Sequence, residues 1–378
     1  MTSEQGDRPV SVSRRELFIL ASISLATALL LGVVAEVGAR TRWPEREGNK
    51  CYFHSDSGLF RPRGSCSARV KNAEGPWTTM SYNECGYRSP HSCGPKPLGT
   101  RRIVVMGTSI AEGLYVPFPE YFGNRLEQRL DRRCPFPVEL QNVASIVQGA
   151  GQQLSILPEV LALRPDAVLL VLSPYDVLNF QSTTQEAAKR PLAFAKDRPK
   201  TEETGSLLSR LRLLSRDSRA LLIAQHFMLQ DRDFFVHAYQ VGGEADALRV
   251  PLAPLVQDKY AQMGHELTLM GAEFATRGIP LLLVPVPNRI QAALISARSE
   301  LPGVDAWSFS REMRALAERA HIGFVDTFSA FANTPNAERL YYAVDGHLTA
   351  KANAVLATAI EQPVIASSSS FQSCDGSR

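Results

Sequence analysis

The chain has 378 residues, 44% of them hydrophobic, which is enough for one large or two small domains with a buried core. Its 41 Lys and Arg against 38 Asp and Glu leave a formal net charge of +3, with the two signs interspersed. No basic stripe marks a nucleic-acid surface, so no nucleic-acid partner is expected.

Residues 1–16 read as a cytoplasmic N-terminus. The run Leu17 to Ala35, LFILASISLATALLLGVVA, is uncharged and close to the roughly 20 residues that cross a bilayer. Two readings stand. Val37-Gly38-Ala39 offers a small-residue cleavage site, whereas the run exceeds the roughly 7 to 15 apolar residues of a signal peptide. Its length favours an uncleaved signal anchor over residues 17–37, with the lipid bilayer as partner. Ser13-Arg14-Arg15 matches a twin-arginine export signal only loosely. Arg40, Arg42, Arg46 and Lys50 follow the run as Arg14 and Arg15 precede it, so the positive-inside rule alone does not orient the chain.

Cysteine usage does. Cys51, Cys66, Cys85 and Cys93 fall in a lead-in, residues 38–100, while Cys134 and Cys374 lie far apart. An even number of cysteines after an export-like segment points to disulfides, and so to a domain outside the cytoplasm, periplasmic in a bacterium. The spacings are too wide for paired zinc ligands, so no metal is expected. Of the pairings that six cysteines allow, the sequential one (51 with 66, 85 with 93, 134 with 374) needs the least chain crossing. The lead-in is rich in Gly, Pro and Ser without helical periodicity and reads as irregular.

From Arg101 the pattern changes. Strand-like runs at 103–106, 138–144, 167–172, 280–286 and 322–327 alternate with helical stretches near 119–131, 152–163, 305–320 and 348–361. Continuous apolar strands separated by helices predict a five-stranded parallel sheet with helices on both faces, spanning residues 101–362. Active residues then gather at the C-terminal ends of the strands. Residues 180–257 contain no strand-like run, and LLSRLRLL and RALLIAQHFML have helical spacing, so they read as a helical insertion. The tail, 363–378, reads as flexible except where Cys374 tethers it.

Ser109 follows the first strand in a Gly107-Thr108-Ser109 turn, with Gly113 where a helix begins. Such a turn exposes a hydroxyl to a base and sets backbone N–H groups beside it for an oxyanion. On its own, Gly-Thr-Ser is also an ordinary capping turn. Of the seven histidines, His54 and His91 lie in the lead-in, His226, His237 and His265 in helical stretches, and His321 at the wrong end of the last strand. His347 lies beyond that strand and before a helix, and Asp345 precedes it by two residues, on the same face of an extended segment. Asp345-Gly346-His347 is equally the composition of a polar turn; with Ser109 it completes a Ser, His and Asp set.

These segments resemble the SGNH or GDSL hydrolase family. RIVVMGTSIAEG is similar to its first block, NVASIVQGAGQQLSIL to the second, PDAVLLVLSPYDVLN to the third and YYAVDGHLTAKANAVLATAI to the last, together covering about residues 80 to 362. The lead-in segment NECGYRSP also resembles what precedes the first block in exported, anchored members. The resemblance implies a flavodoxin-like α/β/α sandwich with Ser109 as nucleophile, His347 as general base and acid and Asp345 as its orienter, and no metal or organic cofactor. The sequence departs from the family at four places. Thr108 stands where an Asp is usual, and one residue rather than two separates Asp345 from His347. Val147 stands where the second-block Gly would offer its N–H, and Tyr175 where the third-block Asn would offer its amide. With Ser109 itself, Val147, Tyr175 and Asn179 are the oxyanion candidates; Asn142 and Asn288 are further amides that could substitute.

Two functions follow. One is an extracytoplasmic serine esterase or O-acyltransferase acting on acetyl esters of a carbohydrate-like substrate. The other is a catalytically inactive binding or assembly subunit with a membrane-protein partner, the altered oxyanion positions having ended turnover. A nucleotide-binding module is disfavoured, because neither GxGxxG nor GxxxxGK[ST] follows the first strand.

Overall fold

The computed structural model describes residues 13–43, 47–54, 60–145, 153–180, 218–242 and 248–375. Val147 and LLSRLRLL lie outside these. The chain divides into two compact units, residues 1–45 with 202–225, and residues 46–201 with 226–378.

In the first unit α1 (Arg14–Arg42) is long and apolar enough to cross a membrane by length and composition, with a mean hydropathy of 2.5 over its most apolar stretch. Ser13 and Glu16 close a capping box at its start, satisfying two N–H groups the first turn cannot bond internally. Glu36 accepts hydrogen bonds from Ser218 Oγ (2.8 Å) and the N–H groups of Arg219 and Ala220 (both 3.0 Å). It thereby caps the start of α6 (Arg219–Met228).

In the second unit the lead-in carries more regular structure than its composition suggests. β1 (Tyr52–His54) pairs with β2 (Phe60–Pro62), and β3 (Ser67–Val70) with β4 (Thr78–Ser81), both antiparallel. Strands of three or four residues are too short for their alternation to emerge from Gly, Pro and Cys-rich text. Cys51–Cys66 and Cys85–Cys93 staple this region, and Cys134–Cys374 joins the end of the helix over residues 122–133 to the C-terminal turn. The three disulfides follow the sequential pairing.

The central sheet is parallel, with strand order β6-β5-β7-β8-β9. Its strands are β5 (Arg101–Gly107), β6 (Val138–Asn142), β7 (Ala167–Leu172), β8 (Leu281–Pro285) and β9 (Gly323–Phe324). Every residue of β6, β7 and β8 is buried, as strands covered on both faces require. Each large apolar side chain buried there contributes about 1.5–3 kcal/mol. In rank terms the order is 2-1-3-4-5, the flavodoxin-like doubly wound arrangement with its switch point beside β5.

Helices flank the sheet: α3 (Phe122–Arg133), α4 (Leu157–Ala162), α8 (Pro254–Ala275), α9 (Arg289–Ala297), α10 (Ser308–Arg319), α11 (Thr327–Ala332) and α12 (Ala350–Ser367). α2 (Ser109–Glu112) and α5 (Pro174–Leu178) are single turns at strand ends, and α7 (Arg232–Gly242) follows α6. The buried Asn353 of α12 accepts the N–H of Phe122 (3.0 Å), and Glu361 pairs with Arg129 (2.6 Å), which bind α12 to α3. Past Ser367 a 3-10 turn runs from Ser369 to Asp375.

Candidate active site

β5 ends on Gly107, whose φ of 138° and close surroundings admit no side chain: a Cβ there would lie 2.3 Å from the Val171 carbonyl oxygen and 2.6 Å from Ala111 Cβ. The chain turns at once, so that Ser109 opens α2 at the C-terminal end of β5. Beneath it the buried Asn142, last residue of β6, donates its amide to the Ala111 carbonyl (3.0 Å) and the Tyr121 hydroxyl (2.7 Å). From the lead-in the buried Arg88 guanidinium donates to the carbonyls of Glu112 (2.6 Å), Gly113 (2.7 Å) and Val116, and lies 5.0 Å from the Tyr121 ring centroid. The carbonyls that a four-residue helix leaves unpaired are thus satisfied by a cation. Burial pulls the Arg88 guanidinium below its ordinary value, opposed by the charges of Tyr121, Tyr82 and Glu112.

Glu112, fully buried at the end of α2, accepts the hydroxyls of Tyr82 (2.6 Å) and Tyr52 (2.7 Å). Burial pushes its carboxyl up, and the two hydroxyls counter that. Thr108, in the position where the resemblance implies Asp, hydrogen-bonds to Asp176, which also accepts the N–H (2.6 Å) and hydroxyl (2.8 Å) of Ser173. Burial likewise raises Asp176. Thr108 and Asp176 thus join the turn of β5 to the first turn of α5.

The other side of the site is the loop from Tyr341 to Leu348, which pair across it as an isolated bridge. Tyr342 N–H donates to the His347 carbonyl and Gly346 N–H to the Tyr342 carbonyl (both 2.9 Å). Asp345 Oδ1 lies 2.6 Å from His347 Nδ1, and His347 Nε2 lies 3.0 Å from Ser109 Oγ. Asp345 can only accept when ionised, so Nδ1 carries the imidazole proton and Nε2 faces the hydroxyl as acceptor. The Tyr115 ring meets the imidazole edge-on at 5.5 Å between centroids. Tyr115 is buried and holds a φ of 66°, a left-handed conformation that costs a bulky residue about 1–2 kcal/mol.

The three residues singled out from the sequence therefore converge within hydrogen-bond reach of one another. The amide candidates do not join them. Asn179 donates its side-chain amide to the Tyr175 carbonyl one turn back (2.8 Å), Asn142 is engaged below the turn, and Asn288 caps α9 by accepting the Gln291 N–H (3.0 Å). Tyr175 lies in α5 with about half its surface exposed (49%). Sequence reasoning missed Asp176, Arg88, Glu112 and Tyr115. Arg88, Glu112 and Asp176 fall within NECGYRSP, RIVVMGTSIAEG and PDAVLLVLSPYDVLN, segments that carry the resemblance, and Asp176 stands just past a strand end on the same side of the sheet as Ser109; Tyr115 carried no signal. Among the described residues no group of three or more His, Cys, Asp or Glu could hold a metal ion.

No protein-family model and no curated protein matches the sequence. Solved structures similar to the chain include a lipase/acylhydrolase from Enterococcus faecalis, 14% identical, covering 70% of this chain and 95% of that one, with a TM-score of 0.41. An acetylxylan esterase from Geobacillus stearothermophilus is also 14% identical (70% and 94% covered, TM-score 0.40). An alpha/beta hydrolase from the metagenome of Lake Arreo is 15% identical (73% and 97% covered, TM-score 0.39). By its four sequence blocks, its strand order and the convergence of Ser109, Asp345 and His347, rather than by these distant likenesses, the chain resembles the SGNH/GDSL hydrolases.

Proposed function

We propose that the chain is a serine esterase or O-acyltransferase acting on acetyl esters of a carbohydrate-like substrate, outside the cytoplasm and tethered to the membrane by α1. The observation that carries this reading is the continuous pair of hydrogen bonds from Ser109 Oγ through His347 to Asp345. The disulfides and the apolar length of α1 support the location.

As Ser109 Oγ attacks the ester carbonyl, His347 Nε2 takes its proton, and Asp345 stabilises the imidazolium through Nδ1–H. The tetrahedral intermediate then breaks its bond to the alcohol oxygen. The alcohol leaves with the proton held on His347, and acyl-Ser109 remains. Water, or in transfer a sugar hydroxyl, attacks the acyl carbon while His347 accepts its proton; the bond to Ser109 Oγ then breaks, His347 returns the proton to that oxygen, and the free acid or the acylated sugar leaves. The N–H of Ser109 itself, at the head of α2, is one oxyanion donor; Val147, Tyr175 and Asn179 are candidates for the second. Removing such a donor costs about 100- to 1000-fold in rate.

The amide of Asn179 is turned back onto its own helix, and this favours a second reading, a binding or assembly subunit with a membrane-protein partner. One experiment separates the two. The full-length chain in detergent is expected to react with a fluorophosphonate probe and to hydrolyse p-nitrophenyl acetate, and Ser109→Ala to lose labelling and at least about a thousandfold in kcat. Faster p-nitrophenol release with added oligosaccharide would assign transfer. A native chain that neither labels nor turns over would leave only the binding subunit.

A further inference from the structure

The loop carrying Asp345 and His347 has no strand beneath it, yet it presents two side chains in register with Ser109. What holds it is a carboxylate from the lead-in. Glu74, whose side chain is fully buried, accepts the N–H groups of Val344 (2.8 Å) and Asp345 (2.7 Å) on one oxygen. Its other oxygen lies 2.7 Å from His226 Nδ1, near the end of α6. Its own backbone is fixed, since its N–H donates to the Asn72 side chain at 2.9 Å.

A second buried charge grips the same loop from the other side. Arg289, 6% exposed, donates to the Ala343 carbonyl, to that of Glu338 (3.3 Å) and to that of Leu229, just past α6. Its guanidinium lies 3.9 Å from the Phe235 ring centroid. Burial lowers the Arg289 guanidinium to about 10, and the Glu74 charge opposes that fall. Two opposite charges therefore clamp residues 343–345, and each also binds the stretch 226–229.

We propose that Glu74 is a positioning residue for the proposed triad: by holding the N–H of Asp345 it sets the carboxylate that orients His347, and His226 completes its own fixation. The inference rests on the esterase reading only for its kinetic consequence. Charge is secondary to shape. A glutamine at this position keeps an oxygen for both N–H groups and turns its amide toward His226 Nδ1, which can accept it in the other tautomer once the Gln230 amide, 2.6 Å from Nε2, turns its oxygen to the ring.

The test uses the full-length chain in detergent with p-nitrophenyl acetate, together with hydrogen exchange of the backbone amides of residues 342–348. Glu74→Ala is expected to lower kcat about 10- to 100-fold with KM changed less than about threefold, because a displaced catalytic group loses rate rather than binding. It should speed exchange at Val344 and Asp345 at least about tenfold. Glu74→Gln is expected to stay within about threefold of wild type in both. Should Glu74→Ala not fold, His226→Ala removes one partner and leaves both loop bonds; a fall in kcat of about three- to tenfold with KM unchanged supports the proposal, and wild-type kcat overturns it. Wild-type kinetics and exchange in a folded Glu74→Ala, or a Glu74→Gln as impaired as Glu74→Ala, also overturn it. If wild type turns over no ester, the esterase reading fails, and exchange in Glu74→Ala and Glu74→Gln still decides whether Glu74 holds the loop.

Discussion

The two sides of the site are held by different means. Ser109 is placed by backbone geometry: a buried strand, a glycine that no other residue can replace, and a one-turn helix whose carbonyls Arg88 satisfies. Asp345 and His347 sit on a loop closed by its own hydrogen bonds and gripped by Glu74 and Arg289 from distant parts of the chain. The nucleophile position follows from the fold itself. The base position depends on a few polar contacts, and tolerance to substitution should differ accordingly.

The sharpest contrast lies between two glycines. Gly107→Ala forces a Cβ against the Val171 carbonyl at 2.3 Å in a conformation an alanine avoids, and should destabilise by at least about 3 kcal/mol. Gly346 has a φ of 81° but nothing within 4 Å of its would-be Cβ, so Gly346→Ala should cost only about 1–2 kcal/mol. Denaturant melts of both variants check this. Equal losses would erase the distinction between the two sides.

Arg88→Met asks whether the cation is needed on the nucleophile side. Three carbonyls, of Glu112, Gly113 and Val116, would lose their donor, and Glu112 would lose the nearest positive charge. The expected cost is about 3 kcal/mol, read from the shift in denaturation midpoint. A variant as stable as wild type would show that the turn needs only its glycine and its strand.

This contrast also explains what was legible in the sequence. The five strands, the Gly107-Thr108-Ser109 turn and the Asp345–His347 spacing are local patterns, and periodicity or a strand boundary exposes them. The sequential disulfides were legible too, from the order of the cysteines. Glu74, Arg88, Arg289 and Tyr115 act over long sequence separations, and each reads alone as an ordinary surface charge or a core aromatic. Nothing in EGP at 74–76 marks a carboxylate whose partners lie near 344. The 22-residue α8 was legible only as a helical stretch around His265, without bounds, for a related reason: with Gly264 and Gly271 inside it and apolar residues on several faces, its stripe blurs into the excursion before it.

The smallest expected effect concerns the lead-in under the nucleophile side. His91 Nε2 lies 3.0 Å from Glu127 Oε1, and the other oxygen of Glu127 accepts the Leu140 N–H of β6, beside β5, at 2.8 Å. The Glu127 hydrogen bond raises the His91 imidazole above its ordinary value, with burial opposing. Because the folded value is the higher one, the pair contributes fully at pH below the unfolded histidine value of about 6.5. That contribution is lost as pH rises through the raised folded value. With His91 about one-third exposed (34%), the contribution is under about 1 kcal/mol. Wild type should therefore lose a little of its stability advantage over His91→Gln between about pH 6 and pH 8, measured as the difference between paired denaturant melts. A difference that grows with pH would reverse the assigned sign. One that stays flat would mean that Glu127 holds β6 through Leu140 without help from the lead-in.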